Sequence, residues 1–295
     1  MRILLLGNTG QLGWELERSL PPLGEVFAID YPQVDLAHLN EVRTLIRDCR
    51  PQVIFNAAAY TAVDRAESEA DLAMAINARA PGVLAEEARA LGAAIIHYST
   101  DYVFDGMLGK SYSEGDPPNP LNMYGKSKLE GEQAVQQIGG AYLILRTSWV
   151  YSLRRDSFVT KVLGWARKQR TLRLVNDQIS NPTWCRVLAE ASAQLMVNGG
   201  EGFVSWLGER SGLYHLAGSG FASRLEWGKM ILKFDPRPEE QVVQEILPAS
   251  SAEFPTPARR PLFTALNCAR FRDTFGLHLP DWQDALRLAM EAPPQ

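Results

Sequence analysis

The sequence predicts an α/β protein with a doubly wound parallel sheet and a smaller second α/β domain. Two observations carry this prediction. Short apolar runs alternate with segments of helical periodicity through the first half of the chain, which is the pattern of βαβ units and a parallel sheet. A glycine-rich turn follows the first apolar run and an acidic residue ends the second, at the strand ends where such sheets bind ligands.

Strands and helices alternate from the N-terminus to about residue 150. Apolar runs predict strands at Arg2–Leu6, Val26–Ile29, Val53–Asn56, Ala93–Ser99 and Ala141–Thr147. Apolar residues three or four positions apart predict helices at Gly10–Leu20, Leu39–Cys49, Ala70–Leu91 and Tyr124–Gln137. We expect residues 1–150 to form the first domain.

The pattern loosens after residue 150. It predicts one short strand at Leu213–Leu216 and helices at Phe158–Lys168, Val187–Val197, Leu225–Phe234 and Trp282–Met290. A proline-rich stretch from Pro236 to Pro261 predicts rigid loops. We therefore expect residues 151–295 to form the smaller domain, with some segments returning to the first.

Composition and charge argue against several classes of protein. The chain carries 30 Lys and Arg against 34 Asp and Glu, so it lacks the basic excess that nucleic-acid binding requires. No apolar run approaches the ~20 residues of a membrane helix. The first apolar run ends at the Gly7 turn with no signal-peptide cleavage site behind it. Three widely spaced cysteines form no metal pattern, so we expect reduced thiols, no metal site and a cytoplasmic protein.

The glycine-rich turn has the chemistry of a phosphate-binding loop. Gly7, Gly10 and Gly13 are spaced G-x-x-G-x-x-G between a predicted strand and a predicted helix. A dinucleotide pyrophosphate needs backbone N–H groups at a helix N-terminus, and side chains would block its approach. Asp30 ends the second strand, where a carboxylate accepts both hydroxyls of an adenosine ribose. An ordinary tight turn with Asp30 as a cap is the alternative, but the combined context favours a Rossmann-type nucleotide site.

Asp30 also bears on the choice of cofactor. Its carboxylate repels a 2′-phosphate, and Tyr31-Pro32 follows it where a compensating Lys or Arg would stand. NADH is therefore favoured over NADPH, although the residues allow either.

A phenol and an ammonium lie four residues apart at Tyr124 and Lys128, on one face of a predicted helix. A nearby cation favours the ionised form of a tyrosine, which is otherwise a poor acid–base group at neutral pH. Ser99-Thr100-Asp101 ends a predicted strand, where hydroxyls could stabilise a developing alkoxide. A solvated helix start and a capped turn are the alternatives for these two motifs.

These motifs resemble the extended short-chain dehydrogenase/reductase superfamily and, within it, the dTDP-4-dehydrorhamnose reductase family. The matching segments are GNTGQLGWEL (7–16), NAAAYTAVD (56–64), HYSTDYVFDG (97–106), YGKSK (124–128) and RTSWVY (146–151). The second half matches less closely, and Ser180 stands where this family usually has Gly. The resemblance implies an NAD(P)-binding Rossmann domain at residues 1–150 and a sugar-nucleotide-binding domain at 151–295.

The resemblance also implies a role for each matching residue. Tyr124 would donate the proton, Lys128 would activate it and anchor the cofactor, and Thr100 would assist at the reacting carbonyl. Substrate contacts are implied for Thr100, Asp101 and Trp149. Cofactor contacts are implied for Gly7, Gly10, Gln11, Leu12, Gly13, Asp30, Asp35, Leu36, Ala59, Tyr60, Thr61, Tyr124 and Lys128. The implied reaction is reduction of the C4 keto group of dTDP-4-dehydro-6-deoxy-L-mannose by NADH or NADPH, which completes dTDP-L-rhamnose synthesis.

Other functions remain open. A 4,6-dehydratase would need a Glu after Thr100-Asp101, where this chain has Tyr102. A sugar-nucleotide 4-epimerase needs the same Tyr124 and Lys128. A non-catalytic regulatory subunit is the third reading, since the β subunit of methionine adenosyltransferase resembles this branch. The sequence also leaves the oligomeric state open. A homodimer formed through the predicted helices that carry Glu15 and Glu190 is one of the states that it allows.

Overall fold

The computed structural model describes residues 1–291. The strands are β1 (Arg2–Leu6), β2 (Glu25–Ile29), β3 (Val53–Asn56), β4 (Ala94–Thr100), β5 (Ala141–Thr147), β6 (Val150–Tyr151), β7 (Thr171–Val175), β8 (Ile179–Ser180), β9 (Thr183–Trp184), β10 (Gly212–His215), β11 (Ala222–Ser223) and β12 (Glu245–Ala249). The helices are α1 (Gln11–Ser19), α2 (Leu39–Cys49), α3 (Val63–Ala66), α4 (Ala70–Met74), α5 (Ala80–Leu91), α6 (Met123–Ile138), α7 (Phe158–Ala166), α8 (Cys185–Gly199), α9 (Phe203–Gly208), α10 (Arg224–Lys233), α11 (Ala269–Phe275) and α12 (Trp282–Glu291). None of the helices in this part of the chain is long and apolar enough to cross a membrane.

A six-stranded sheet of order β10-β5-β4-β3-β1-β2 forms the centre of the molecule, and every pair of neighbours in it is parallel. From β1 the chain moves first to β2 at one edge and then back to β3 on the other side, so the strand order reverses beside β1. Ligands of open α/β sheets bind at such a switch point, outside the carboxyl ends of the strands. This places the residues that follow β1, β3, β4 and β5 around one crevice.

The central strands are mostly apolar because helices cover both faces of the sheet. Successive residues point to opposite faces, so Ile3 and Leu5 pack in one core and Leu4 and Leu6 in the other. The first core contains side chains of α1 and α8, and the second contains side chains of α2 and α5. Both cores hold the carboxyl end of β1, and therefore the glycine-rich turn, in a fixed position.

Segments beyond residue 150 contribute to this central unit. β10 is the sixth strand of the sheet and pairs with β5 from Gly212 to His215. Helix α8 packs in the same core as α1. The remaining strands form three two-stranded sheets, β7 with β12, β6 with β9 and β8 with β11. A third core in this part of the chain contains Trp227. The division of the chain at residue 150 into two functional domains stays a prediction.

Two predictions of secondary structure differ from the structure for clear reasons. The helix expected over residues 70–91 is divided into α4, a π-helical turn at Ala75–Arg79 and α5. Pro81 has no N–H to donate to the helical turn before it, which accounts for the changed hydrogen-bond pattern at this point. The proline-rich stretch, expected to be loop only, contains β12, and Pro248 lies within that strand opposite Leu174. A proline is tolerated there because this sheet has only two strands, so both are edge strands.

Candidate active site

The glycine-rich turn leaves no room for side chains at two of its positions. Gly7 has φ +85°, and a Cβ there would lie 2.6 Å from the backbone nitrogen of Ala58. A Cβ on Gly13 would lie 2.0 Å from the carbonyl oxygen of Gly7. The turn is closed by a 3.0 Å hydrogen bond from the N–H of Gly10 to the carbonyl of Gly7. The N-terminus of α1 is therefore brought directly behind β1, facing the crevice of the sheet.

A cleft of about 650 Å³ opens above this turn. The predicted cofactor residues that line it are Gly7, Gly10, Gln11, Leu12, Asp30, Asp35, Leu36, Ala59, Thr61, Tyr124 and Lys128. Two predicted residues lie outside its wall. Gly13 lies against the carbonyl of Gly7, and Tyr60 directs its phenol to the carboxylate of Glu69.

Asp30 lies at the end of β2 and is joined to the turn. Its Oδ2 accepts hydrogen bonds from the backbone N–H of Thr9 at 3.1 Å and from the Thr9 hydroxyl at 2.5 Å. Arg155, which the sequence analysis did not identify, lines the same cleft and donates to the carbonyl oxygen of Thr9. Asp30 and Arg155 thus bring a carboxylate and a guanidinium to the glycine turn, and of these two only the carboxylate could be foreseen from a sequence pattern.

The cleft fits a nicotinamide dinucleotide on its own geometry. The glycines at positions 7 and 13 occupy places where a Cβ would collide with backbone atoms. The turn leads into a helix N-terminus, which attracts a pyrophosphate, and Asp30 lies where an adenosine ribose is bound in this fold. Tyr124 and Lys128 line the same cleft beside these residues.

Lys128 is buried, with 2% of its surface exposed. Its Nζ donates to the carbonyl oxygen of Tyr98 at 2.6 Å and lies 3.3 Å from Nε2 of His97. Burial lowers the pKa of Lys128 to about 8, and the nearby Glu132 carboxylate opposes that shift. Among the described residues, the phenol of Tyr124 is not a hydrogen-bond partner of this ammonium.

Tyr124 lies in the first turn of α6, which is capped by Asn122 accepting from the N–H of Gly125 at 2.8 Å. Burial of the phenol raises the pKa of Tyr124, and a hydrogen bond with the side chain of Thr100 opposes that rise. Thr100 ends β4 and caps the 3-10 turn that follows. The structure therefore brings Tyr124 and Thr100 together at the carboxyl end of the sheet, as the two motifs predict.

Asp101 is enclosed, with 2% of its surface exposed. Its carboxylate accepts hydrogen bonds from the hydroxyls of Thr264 and Ser180, at 2.5 and 3.0 Å. Burial raises the pKa of Asp101, and the surrounding hydroxyls oppose the rise. Both Ser180 and Thr264 were missed as site residues, because each is far from residue 101 in the sequence.

Trp149 belongs to an aromatic cluster that also contains Phe158 and Trp227. Its ring stacks on Trp227 with 5.4 Å between the centroids, and the guanidinium of Arg224 lies 3.6 Å from its ring centroid. The backbone of Trp149 is in the left-handed region at φ 40°, which is uncommon for a bulky residue. Trp149 does not line the cofactor cleft. It also does not line a neighbouring cleft that contains Arg224, but its ring packs against the guanidinium of that arginine.

The neighbouring cleft has a volume of about 990 Å³ and contains four arginines, Arg173, Arg224, Arg259 and Arg260. Arg173 is paired with Glu253 and Arg260 with Asp64, whereas Arg224 has no carboxylate partner within residues 1–291. Burial lowers the pKa of Arg224 to about 10, which still leaves it charged at neutral pH. No local spacing connects these arginines, so no sequence pattern indicates this cleft.

Tyr102 lies between the two clefts. Its ring centroid is 5.9 Å from that of Tyr124, in an edge-to-face arrangement. Burial raises the pKa of Tyr102, while the positive charges of Arg224 and Arg260 lower it. Through Tyr102, the arginine cleft therefore adjoins Tyr124 in the cofactor cleft.

Glu15 and Glu190 lie away from these residues, around a third cavity. Glu190 is paired with Arg186 at 3.0 Å. Burial raises the pKa of Glu15, and Arg186 and Arg18 oppose the rise. In residues 1–291 no three His, Cys, Asp or Glu side chains are grouped to hold a metal ion, and the absence of a metal requirement stays a prediction.

Comparison with known proteins identifies the family of the chain. The family model described as the RmlD substrate binding domain matches residues 1–293. The dTDP-4-dehydrorhamnose reductase of Burkholderia thailandensis is 38% identical to the chain, in an alignment that covers 98% of each protein. The chain belongs to the dTDP-4-dehydrorhamnose reductase family.

Solved structures of this family have the same fold. The reductase from Clostridium acetobutylicum superposes with a TM-score of 0.90 at 32% identity, over 99% of both chains. The reductase from Bacillus anthracis, solved in complex with NADP, superposes with a TM-score of 0.88 at 32% identity, over 97% of both chains. Membership in this family confirms the predicted Rossmann-type fold and the predicted enzyme class, an NAD(P)H-dependent oxidoreductase.

Proposed function

We propose that the protein reduces the C4 keto group of dTDP-4-dehydro-6-deoxy-L-mannose to give dTDP-L-rhamnose, with NADH or NADPH as the reductant. The observation that carries this proposal is the common cleft of Tyr124, Lys128, the glycine turn and Asp30. It supports a role for Tyr124 as a proton donor beside a dinucleotide site. Family membership supports the choice of sugar nucleotide, and the adjoining arginine cleft provides space and positive charge for it.

Tyr124 is the proton donor in this proposal. When bound in the cleft, a nicotinamide dinucleotide would supply the hydride that adds to the C4 carbon, and the electrons of the carbonyl π bond would become negative charge on the C4 oxygen. Tyr124 then gives its phenolic proton to that oxygen, forming the new O–H bond. The raised pKa of Tyr124 keeps the proton on the phenol until the charge develops. Thr100 lies close to the phenol and can turn its hydroxyl to stabilise the phenolate that remains.

Lys128 has the donors required to hold both partners. Its ammonium has three N–H groups, one of which donates to the carbonyl oxygen of Tyr98. The ammonium thus keeps a further N–H to donate into the cleft, to the nicotinamide ribose or to the phenolate of Tyr124. We therefore assign Lys128 as the anchor of the cofactor and the electrostatic support of Tyr124.

Arg224 is the residue we assign to the diphosphate of the sugar nucleotide. It is a cation that packs against Trp149, Phe158 and Trp227 and lacks a carboxylate partner in the described part of the chain. We expect Arg224→Met to raise the KM for the sugar nucleotide about 10- to 100-fold, which corresponds to the loss of charge-assisted hydrogen bonds. Steady-state kinetics at saturating NADH measures this change.

Arg173→Met is the matched control for Arg224→Met. Arg173 lines the same cleft, but Glu253 already neutralises it. We expect its KM for the sugar nucleotide to stay near the wild-type value. Equal effects of the two substitutions would contradict the assignment, because they would indicate a general effect of positive charge.

We propose a preference for NADH on the basis of Asp30. We expect Asp30→Asn to shift the ratio of kcat/KM for NADH over NADPH about tenfold toward NADPH, because a charged acceptor for the ribose is lost and the repulsion of a 2′-phosphate is removed. Arg155→Gln is the opposite control, since it removes the guanidinium near the glycine turn and should favour NADH further. An unchanged ratio in both variants would show that neither charge determines the choice.

The test of the proposed function is oxidation of NADH and of NADPH by the purified protein with enzymatically made dTDP-4-dehydro-6-deoxy-L-mannose. Stoichiometric oxidation with formation of dTDP-L-rhamnose supports the reductase. A protein that retains its dinucleotide through purification and interconverts sugar-nucleotide epimers would be a 4-epimerase. A protein that binds NADH and converts no 4-keto sugar nucleotide would be a regulatory subunit. Location in the cytoplasm and a homodimeric state stay predictions alongside this function.

A further inference from the structure

Two hydroxyls from the second half of the chain meet at the carboxylate of Asp101. Thr264 Oγ1 donates to Oδ2 of Asp101 at 2.5 Å, and Ser180 Oγ donates to the same oxygen at 3.0 Å. The two hydroxyl oxygens are 3.1 Å apart. All three side chains are buried, with at most 2% of each residue exposed. Water therefore does not compete for these hydrogen bonds.

The backbone fixes the position of both hydroxyls. Segments 179–180 and 262–264 run side by side, joined by hydrogen bonds from the N–H of Ile179 to Leu262 at 2.7 Å and from the N–H of Thr264 to Ile179 at 2.9 Å. A third hydroxyl, Ser148 Oγ, lies 2.5 Å from Ser180 Oγ. Ser180 and Thr264 are thus held at Asp101 by the fold and not by chance rotation of a surface side chain.

The second oxygen of Asp101 reaches the reaction residues. Thr100 Oγ1 donates to Oδ1 of Asp101 at 3.2 Å and accepts from the backbone N–H of Tyr102 at 3.1 Å. The ionised carboxylate of Asp101 holds the Thr100 side chain in place through this charge-assisted hydrogen bond. Protonation of Asp101 removes the charge and weakens the hydrogen bond, so Thr100 is then less well positioned for Tyr124.

We propose that Ser180 and Thr264 are positioning residues of the reaction, which hold the carboxylate of Asp101 and thereby determine how Thr100 serves Tyr124. The inference deepens the proposed function and depends on it. Charged or titratable groups that act on Asp101 are Arg224, Tyr102 and Tyr124. Of these, only the cation Arg224 favours the ionised carboxylate, so the hydroxyls supply the rest of its stabilisation.

The effect of removing a hydroxyl has a defined sign. Burial raises the pKa of Asp101, and the hydrogen bonds from Thr264 and Ser180 lower it. Loss of either donor therefore raises the pKa of Asp101 further, and the carboxylate becomes protonated at a higher pH. The acidic limb of the kcat–pH profile should move toward neutral pH.

Thr264→Val is the main test, because valine keeps the shape of threonine and lacks the hydroxyl. We expect kcat at neutral pH to fall about tenfold, the acidic limb to move to higher pH, and the affinity for NADH to stay at the wild-type value. Ser180→Ala should change the profile in the same direction. Thr264→Ser restores the hydroxyl and should restore the profile.

Ser192→Ala is the matched control. Ser192 is a fully buried serine of α8 whose hydroxyl donates to the carbonyl of Leu188 and accepts from the hydroxyl of Tyr98, without a hydrogen bond to Asp101. We expect its pH profile to equal that of the wild type. Thermal unfolding identifies any variant that fails to fold, and Ser180→Ala then carries the test in place of Thr264→Val.

A kcat that falls equally at every pH, or a profile that Thr264→Ser fails to restore, would overturn the inference and leave a purely structural role. The wild-type enzyme separates this failure from that of the proposed function. If the wild type does not reduce the 4-keto sugar nucleotide, the proposed function itself is wrong. If it does so and Thr264→Val and Ser180→Ala keep its pH profile, only the positioning role is wrong.

Discussion

Substitution of Tyr124 by Phe should lower kcat by about 10²–10⁴-fold, the range that general acid catalysis contributes. Phenylalanine keeps the ring and removes the proton that the C4 oxygen requires. The hydroxyl of Thr100 remains nearby but is engaged with Asp101, so it is a poor substitute donor. Reduction of the 4-keto sugar nucleotide at saturating NADH measures kcat, and fluorescence titration with NADH should give an affinity near that of the wild type.

Tyr214→Phe is a suitable control for this substitution. Tyr214 is buried, and its hydroxyl donates to the carbonyl of Arg210 at 2.9 Å in another part of the fold. It should retain wild-type kcat, because the lost hydroxyl has no contact with the cleft. Full activity of Tyr124→Phe would remove Tyr124 from the mechanism.

Substitution of Lys128 by Met should lower kcat/KM for NADH by about 10²-fold or more, because it removes both a donor to the cofactor and the charge that supports the phenolate. The wild type should also lose activity as the pH rises through about 8, where the ammonium of Lys128 loses its proton. The sign follows from the charge: the ammonium is the active form, so activity is present below this pKa and lost above it. Lys128→Met should lack this alkaline limb.

Lys126→Met serves as the control for Lys128→Met. Lys126 lies on the same helix two residues earlier, but its side chain is exposed to solvent. Its kinetics and pH profile should match those of the wild type. An alkaline limb that persists in Lys128→Met would assign that titration to another group.

The parts of the site that could be predicted from the sequence are those whose chemistry lies within a short segment. The glycines at 7, 10 and 13 need only a strand before them and a helix after them. Tyr124 and Lys128 need only one helical turn to share a face. Each of these patterns is complete within a few residues, so the chain need not be folded to reveal it.

The residues that could not be predicted act across the fold. Arg224 becomes a candidate ligand-binding cation only because Trp149 and Trp227 pack beside it and no described carboxylate neutralises it. Ser180 and Thr264 matter only because β8 and the segment around residue 264 run together above Asp101. Strand β12 escaped detection for a similar reason, since Pro248 is acceptable only on an edge strand, and pairing decides which strands are edges.

The place of β10 in the central sheet limits how this enzyme can be divided. A fragment ending near residue 150 would leave β5 with a bare edge, and α1 would lose the apolar cover that α8 provides. Unpaired sheet edges invite aggregation. A chimaera that exchanges substrate specificity between relatives should therefore keep residues 185–215 with the N-terminal half and replace only the segments around β7, α10 and β12. The unit formed by the central sheet and its covering helices is discontinuous in the chain.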